Sequence, residues 1–76
     1  MNGYSLLTAH RINTADKSFI GVKLGRLCVK KGIPVRDVAE FLNVSHTAVY
    51  AWFKGEVSVS HRYRADIEYL ISKLKD

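Results

Sequence analysis

The amino-acid sequence predicts an all-α fold, a compact domain of four helices that follows a short N-terminal arm. Apolar residues recur at helical spacing in successive segments after residue 14, and residues that cap or end helices stand between those segments. A chain of 76 residues is also too short to divide its core between two domains. The apolar fraction of 47% is that of a globular protein and is too high for a disordered tail.

The first 13 residues show no clean period, although several of them are apolar: Tyr4, Leu6, Leu7 and Ile12. We therefore predict that residues 1–13 form a short strand or an extended arm packed on the domain. The alternative is a partly ordered terminus. The domain itself is assigned to residues 14–76.

The first predicted helix begins at Thr14 or Asp16, either of which can cap it, and runs to about Lys31. Its apolar stripe consists of Ile20, Leu24, Leu27 and Cys28. Gly21 and Gly25 cost roughly 1 kcal/mol each relative to Ala inside a helix. We expect them to allow a close crossing with another helix.

Residues 35–55 predict two short amphipathic helices joined by a tight turn. Gly32 suits the end of the preceding helix, and Pro34, which has no amide hydrogen, suits the start of the next. Asn43 tolerates the left-handed conformation with which the first of the pair often stops, and Ser45 can cap the second. The apolar positions that pack the pair together are Val38, Ala39, Leu42, Val44, Val49, Trp52 and Phe53.

This pattern is that of a helix-turn-helix, and it resembles the lambda-repressor-like, or Cro-type, family of DNA-binding domains. The resemblance rests on a small residue, a turn residue, an aliphatic plug and two apolar positions at Ala39, Asn43, Val44, Val49 and Trp52. It covers residues 35–55, and the flanking helices extend it from about residue 14 to 75. The sequence departs from the family at Val35, Asn43 and Phe53, where a polar residue, Gly and Glu are usual. We expect Phe53 to add packing against the last helix or a second subunit.

Ser60 is predicted to cap the last helix, which ends near Lys75. Its apolar face consists of Tyr63, Ile67, Leu70, Ile71 and Leu74. Residues 56–59, which precede it, are predicted to form a loop with a locally extended backbone.

The net charge of +5 and the isoelectric point near 9.6 favour a polyanionic partner. No apolar run is long enough to cross a bilayer, and no secretory signal is recognised. A single cysteine, Cys28, excludes an internal disulfide and fits a reducing compartment. We therefore expect a protein of a reducing compartment that does not contact a membrane. The resemblance to Cro-type domains implies that this compartment is the cytoplasm of a bacterial cell or of a phage-infected host.

The sequence predicts neither an enzyme nor a bound cofactor or metal. The three histidines, His10, His46 and His61, are scattered, and one cysteine gives no zinc-ligand spacing. No glycine-rich loop follows a strand, as phosphate-binding motifs require.

The resemblance implies that the second helix of the motif lies in the major groove of B-DNA. The predicted base contacts are His46, Thr47, Ala48, Tyr50 and Ala51. The predicted phosphate contacts are Ser45, Lys54, Arg36, His61, Arg62 and Arg64. Because the base contacts include no Arg, Asn or Gln, we expect modest direct readout, with a contribution from DNA shape. His10 and Arg11 of the arm are candidates for a minor-groove contact.

These expectations describe a sequence-specific transcriptional regulator that binds a double-stranded operator as a homodimer and excludes or recruits RNA polymerase. The dimer contact is expected on the last helix or at Phe53. Two other functions fit the same fold. One is a protein-interaction module that acts on RNA polymerase or another protein, and the other is an architectural or recombination factor that bends DNA.

Overall fold

A computed structural model describes residues 4–75, and within that range the chain forms α-helices and no strand. The helices are α1 (Leu6–Thr14), α2 (Ile20–Lys31), α3 (Val35–Leu42), α4 (His46–Phe53) and α5 (His61–Leu74). The predicted all-α class is confirmed. The predicted number of four helices is wrong, because a fifth helix precedes the segment assigned to the domain.

α1 occupies most of the segment for which the sequence predicted an arm. The Ser5 hydroxyl accepts a hydrogen bond from the amide of Thr8 at 3.1 Å, which satisfies one amide of the first turn. Tyr4 is buried, and its hydroxyl donates to the carbonyl of Ile33 at 2.7 Å. An extended conformation is therefore wrong for residues 6–13, and His10 and Arg11 lie on a helix. Residues 1–3 of the predicted arm lie outside the described residues.

α2 begins at Ile20, later than predicted, because neither expected cap is free. The Asp16 carboxylate accepts a hydrogen bond from the amide of Ser18 at 2.9 Å, and this bond lowers the pKa of Asp16. Thr14 ends α1, and its hydroxyl donates to a carbonyl of that helix at 2.8 Å. The predicted end of the helix is confirmed, since Gly32 follows in the left-handed conformation with a φ of 72°.

α2 packs on α4 through two glycines. A Cβ atom at Gly21 would lie 2.8 Å from the carbonyl oxygen of Trp52, and one at Gly25 would lie 2.8 Å from the Cβ of Phe53. Any side chain at these positions would push the two helices apart. The close crossing predicted from the glycines is confirmed, and its partner is α4. Trp52 is only 6% exposed and Phe53 is fully buried at this contact.

Side chains from α1, α2, α4 and α5 form the fully buried part of the core. They include Ile12, Val22, Leu24, Cys28, Val49, Phe53 and Ile67. Burial raises the pKa of the Cys28 thiol to about 12, so the thiol stays protonated at neutral pH and serves as an apolar side chain. Because Phe53 is fully buried, the prediction that it contacts a second subunit is wrong.

α5 closes the domain against α2 and α4. The ring of Tyr63 lies 5.5 Å, centroid to centroid, from the ring of Trp52, and Ile67 is fully buried. Ser60 occupies the predicted cap position, but its side chain makes no capping hydrogen bond. Between residues 4 and 75, none of the helices combines the length and apolar character needed to cross a membrane.

We expect Gly21→Ala to lower the free energy of unfolding by about 1–3 kcal/mol, the usual cost of overpacking. The sign is informative, because Ala at an uncrowded helical position would stabilise by roughly 1 kcal/mol relative to Gly. Denaturant unfolding followed by Trp52 fluorescence measures the change. Lys23→Ala, at an exposed position of the same helix, is the control and should change stability by less than about 0.5 kcal/mol. A Gly21→Ala variant as stable as the parent would contradict the close crossing.

Candidate nucleic-acid interface

Three residues join α3 to α4, and Asn43 sets the direction of the turn. Asn43 has φ 57° and ψ 49°, the left-handed conformation that its sequence position predicted. The amide of Val44 then donates to the carbonyl of Ala39 at 3.0 Å, which closes the end of α3. Ala39, the small residue of the predicted motif, is buried.

Ser45 caps the N-terminus of α4, as predicted. Its hydroxyl accepts a hydrogen bond from the amide of Ala48 at 3.1 Å. The side chains of His46 and Thr47 are exposed, and neither makes a hydrogen bond to any residue that the structure describes. The first turn of α4 therefore presents two polar side chains to solvent, beside amides that carry the positive end of the helix dipole.

An open groove of about 370 Å³ runs beside α4, and its lining residues are Thr8, Thr47, Tyr50, Ala51, Lys54 and Glu56. Four of these six are predicted DNA contacts, so the structure brings Thr47, Tyr50, Ala51 and Lys54 together on one surface. The remaining two come from α1 and from the loop after α4. Neither residue was predicted as a contact from the sequence.

A sequence signal for the α1 residue does exist. Ser5 is a good N-cap, and Thr8 follows at the position whose amide such a cap satisfies. The next six residues contain neither Gly nor Pro. No local signal exists for Glu56, because its position in the groove depends on how the loop folds back toward α4.

Three predicted base contacts are less accessible than expected. Ala48, Tyr50 and Ala51 are half-buried, and the first two pack against the core. Ala48 does not line the groove, whereas the outer part of Tyr50 does. Of the five predicted base contacts, His46 and Thr47 are therefore the exposed ones, whereas Ala51 and the outer part of Tyr50 line the groove beside Thr47.

Lys54, a predicted phosphate contact, is paired within the groove. Its Nζ lies 3.6 Å from the Oε2 of Glu56, and the Lys54 side chain is 23% exposed. An ion pair open to solvent adds little to stability. Its consequence here is electrostatic, because Glu56 offsets part of the positive charge that Lys54 brings to the groove.

The other predicted phosphate contacts do not line this groove. Arg36 lies 3.6 Å from Asp37, and both side chains are exposed. Arg64 lies 3.6 Å from Glu68 in a separate groove between α2 and α5. The two grooves share no lining residue, so the structure does not bring Arg64 into the groove beside α4.

The two remaining residues of this set lie at the start of α5. His61 is exposed, and the guanidinium carbon of Arg62 lies 5.1 Å from the centroid of the Tyr63 ring. Tyr63 in turn packs on Trp52 of α4, so Arg62 lies near that part of the core. Arg62 does not line the groove beside α4.

The groove beside α4 offers hydroxyl, ammonium and carboxylate groups to a partner. Within residues 4–75, no cluster of three His, Cys, Asp or Glu side chains could hold a metal ion. No protein-family model, no curated protein and no solved structure matches the chain.

We expect Ser45→Ala to lower the free energy of unfolding by about 1 kcal/mol, because the amide of Ala48 loses its partner. Ser60→Ala is the matched control: Ser60 holds the same position before α5 but makes no capping bond, so its loss should cost less than about 0.5 kcal/mol. Thermal unfolding of the two variants and the parent makes the comparison. Equal losses at both positions would contradict the assigned role of Ser45.

Proposed function

We propose that the protein is a sequence-specific, double-stranded DNA-binding transcriptional regulator of the small Cro-like type. In this proposal α3, the turn at Asn43 and α4 form a helix-turn-helix of the lambda-repressor-like family. Residues 45–54 enter the major groove. The observation that carries the proposal is the outer surface of α4, where an exposed polar first turn adjoins a groove lined by three of the predicted base contacts and by Lys54.

The chemistry of that surface suits DNA. The Thr47 hydroxyl can exchange a hydrogen bond with a base edge or place its methyl on a thymine, and Ala51 can meet a second methyl group. His46 can donate to a guanine or to a phosphate. Ser45 and Lys54 would fix the register on the phosphate backbone, which attracts a chain of net charge +5.

The same proposal includes the less specific properties of the protein. It would act without catalysing a reaction and without a bound cofactor. Its place would be the cytoplasm of a bacterial cell or of a phage-infected host, where operator DNA and RNA polymerase are found.

A recognition helix with so few base contacts needs a second copy to define a site. An exposed apolar face is present on α3 and α5, where the rings of Phe41 and Tyr69 stack at 6.3 Å between centroids. These residues are 55% and 51% exposed, and a neighbouring groove of about 220 Å³ is lined by Ile33, Asp37, Val38, Phe41, Leu70 and Leu74. Large exposed apolar patches commonly mark protein interfaces.

We propose that a second copy of the chain covers this face. Exposed charges of opposite sign lie next to it in the chain: Glu40 precedes Phe41 on α3, and α5 carries Lys73, whose Nζ lies 5.6 Å from the Tyr69 ring centroid. A two-fold axis that sets α3 of one protomer against α5 of its partner would bring the opposite charges together twice.

Selection from a pool of random duplexes tests the proposed function. We expect enrichment of a two-fold symmetric site whose half-sites are about one helical turn apart. Retention of duplex without enrichment would favour an architectural DNA-binding factor. If no duplex is retained even at low salt, DNA binding is contradicted, and a module that binds RNA polymerase or another protein becomes the better account.

Substitutions in the groove should separate base contacts from phosphate contacts. Thr47→Ala should relax the preference at one position of the enriched site. Lys54→Ala should weaken binding to all sites alike and reduce the salt slope by about one unit.

Glu56→Gln should strengthen binding to all sites, because it leaves Lys54 unpaired. Titrations at several salt concentrations measure all of these effects. Glu68→Gln, the same change in the separate groove, is the control and should bind like the parent. A Lys54→Ala variant with unchanged affinity would contradict the phosphate contact.

Phe41→Gln should weaken dimerisation at least tenfold, the effect of losing an apolar residue at the centre of an interface. Leu6→Gln is the control, because Leu6 is 91% exposed on a different helix and neither change alters the net charge. Sedimentation equilibrium, free and with the selected duplex, measures association. A parent protein that binds DNA as one protomer per site would contradict the two-fold contact.

A further inference from the structure

α1 flanks α4 on the side of the groove. Thr8 lines the groove together with Thr47, Tyr50 and Lys54. At the far end of α4, a Cβ atom at Gly55 would lie 3.5 Å from the Cβ of Ala15, which directly follows α1. The additional helix therefore contributes a wall to the surface that we propose for DNA.

The hydrogen bonds of Thr8 leave one donor unused. The amide of Thr8 donates to the Ser5 hydroxyl oxygen at 3.1 Å, and the Ser5 hydroxyl donates to the Thr8 hydroxyl oxygen at 2.9 Å. The Thr8 oxygen thus accepts a hydrogen bond, while its own proton has no acceptor among residues 4–75. Accepting one hydrogen bond polarises a hydroxyl and makes it a better donor.

Contacts on both sides of Thr8 fix its hydroxyl group in place. Before it, Tyr4 is buried and its hydroxyl donates to the carbonyl of Ile33, at the connection between α2 and α3. After it, Ile12 is fully buried, and its Cγ2 would lie 3.1 Å from a Cβ atom at Gly25. Thr8 is therefore fixed relative to α4, and little ordering would be needed for it to act together with that helix.

We infer that Thr8 is a DNA-phosphate contact: when α4 lies in the major groove, the Thr8 hydroxyl donates to a phosphate oxygen of the flanking backbone. This inference rests on the proposed function. Phosphate oxygens only accept hydrogen bonds, which matches a hydroxyl whose proton is unused. An element beside the recognition helix meets the backbone rather than the groove floor. Lys54 in the same groove adds the positive charge that draws the phosphate in.

The contact would position the protein without reading sequence. Thr8→Val removes the hydroxyl and keeps the side-chain shape, so we expect binding to fall about tenfold on every site, a typical loss for a hydrogen bond to a charged group. The salt slope should not change, because a neutral donor displaces no counterion. This separates Thr8 from Lys54, whose removal should lower the slope.

Two further variants guard against a merely structural effect. Thr8→Ser keeps the hydroxyl and should bind within about twofold of the parent. Thr14→Val removes a hydroxyl from the same helix, but that hydroxyl donates to a carbonyl within α1 and does not line the groove, so binding should be unchanged. Thermal unfolding should show that Thr8→Val is folded.

A methylphosphonate scan of the selected duplex identifies the phosphate directly. Each substitution makes one phosphate neutral, and for the parent we expect losses at the phosphates contacted by Ser45, Lys54 and Thr8. With Thr8→Val, one of these losses should disappear while the others stay. If Thr8→Val binds like the parent, or if its scan matches that of the parent, the inference is overturned although the proposed function stands. If the parent retains no duplex, both are overturned.

Discussion

The close crossing of α2 and α4 is the contact on which the rest of the structure depends. It exists because Gly21 and Gly25 leave room for the backbone of Trp52 and the side chain of Phe53. An isolated helix as short as α4 is not stable in water, so tertiary packing must hold it. By burying Trp52 and Phe53 against α2, the crossing fixes one side of α4 inside the core and leaves its first turn and outer side for a partner.

The second constraint is the docking of α1. Tyr4 and Ile12 attach this helix to the core, and Thr8 between them reaches the groove beside α4. α4 thereby becomes one wall of a broader surface, on which hydroxyl groups from two helices and the ammonium of Lys54 lie together. The carboxylate of Glu56 beside Lys54 limits the positive charge of this surface.

Local signals in the sequence predicted the elements whose cause is local. Asn43 and Gly32 adopt the left-handed conformation expected of residues that end helices, and Ser45 caps α4. Gly21 and Gly25 predicted a close crossing because little else explains two glycines inside a helix. These positions depend on backbone geometry that one or two residues impose.

The failures concern features that depend on distant contacts. α1 was missed because Leu6 and Leu7 are 91% and 60% exposed, so its apolar residues do not follow the helical period. Asp16 is a residue type that commonly caps helices, but its carboxylate accepts a hydrogen bond from the amide of Ser18. Neither the burial of Phe53 against α2 nor the meeting of Thr8 and Glu56 in one groove is encoded in spacing, since each depends on how separate elements pack.

Amide chemical shifts of the ¹⁵N-labelled protein, followed during titration with the selected duplex, show which surface meets DNA. We expect the largest changes in residues 45–54 and at Thr8. The groove between α2 and α5, which contains Lys23 and Arg64, should change little. Changes concentrated in that groove, with α4 unaffected, would contradict DNA binding by the outer surface of α4.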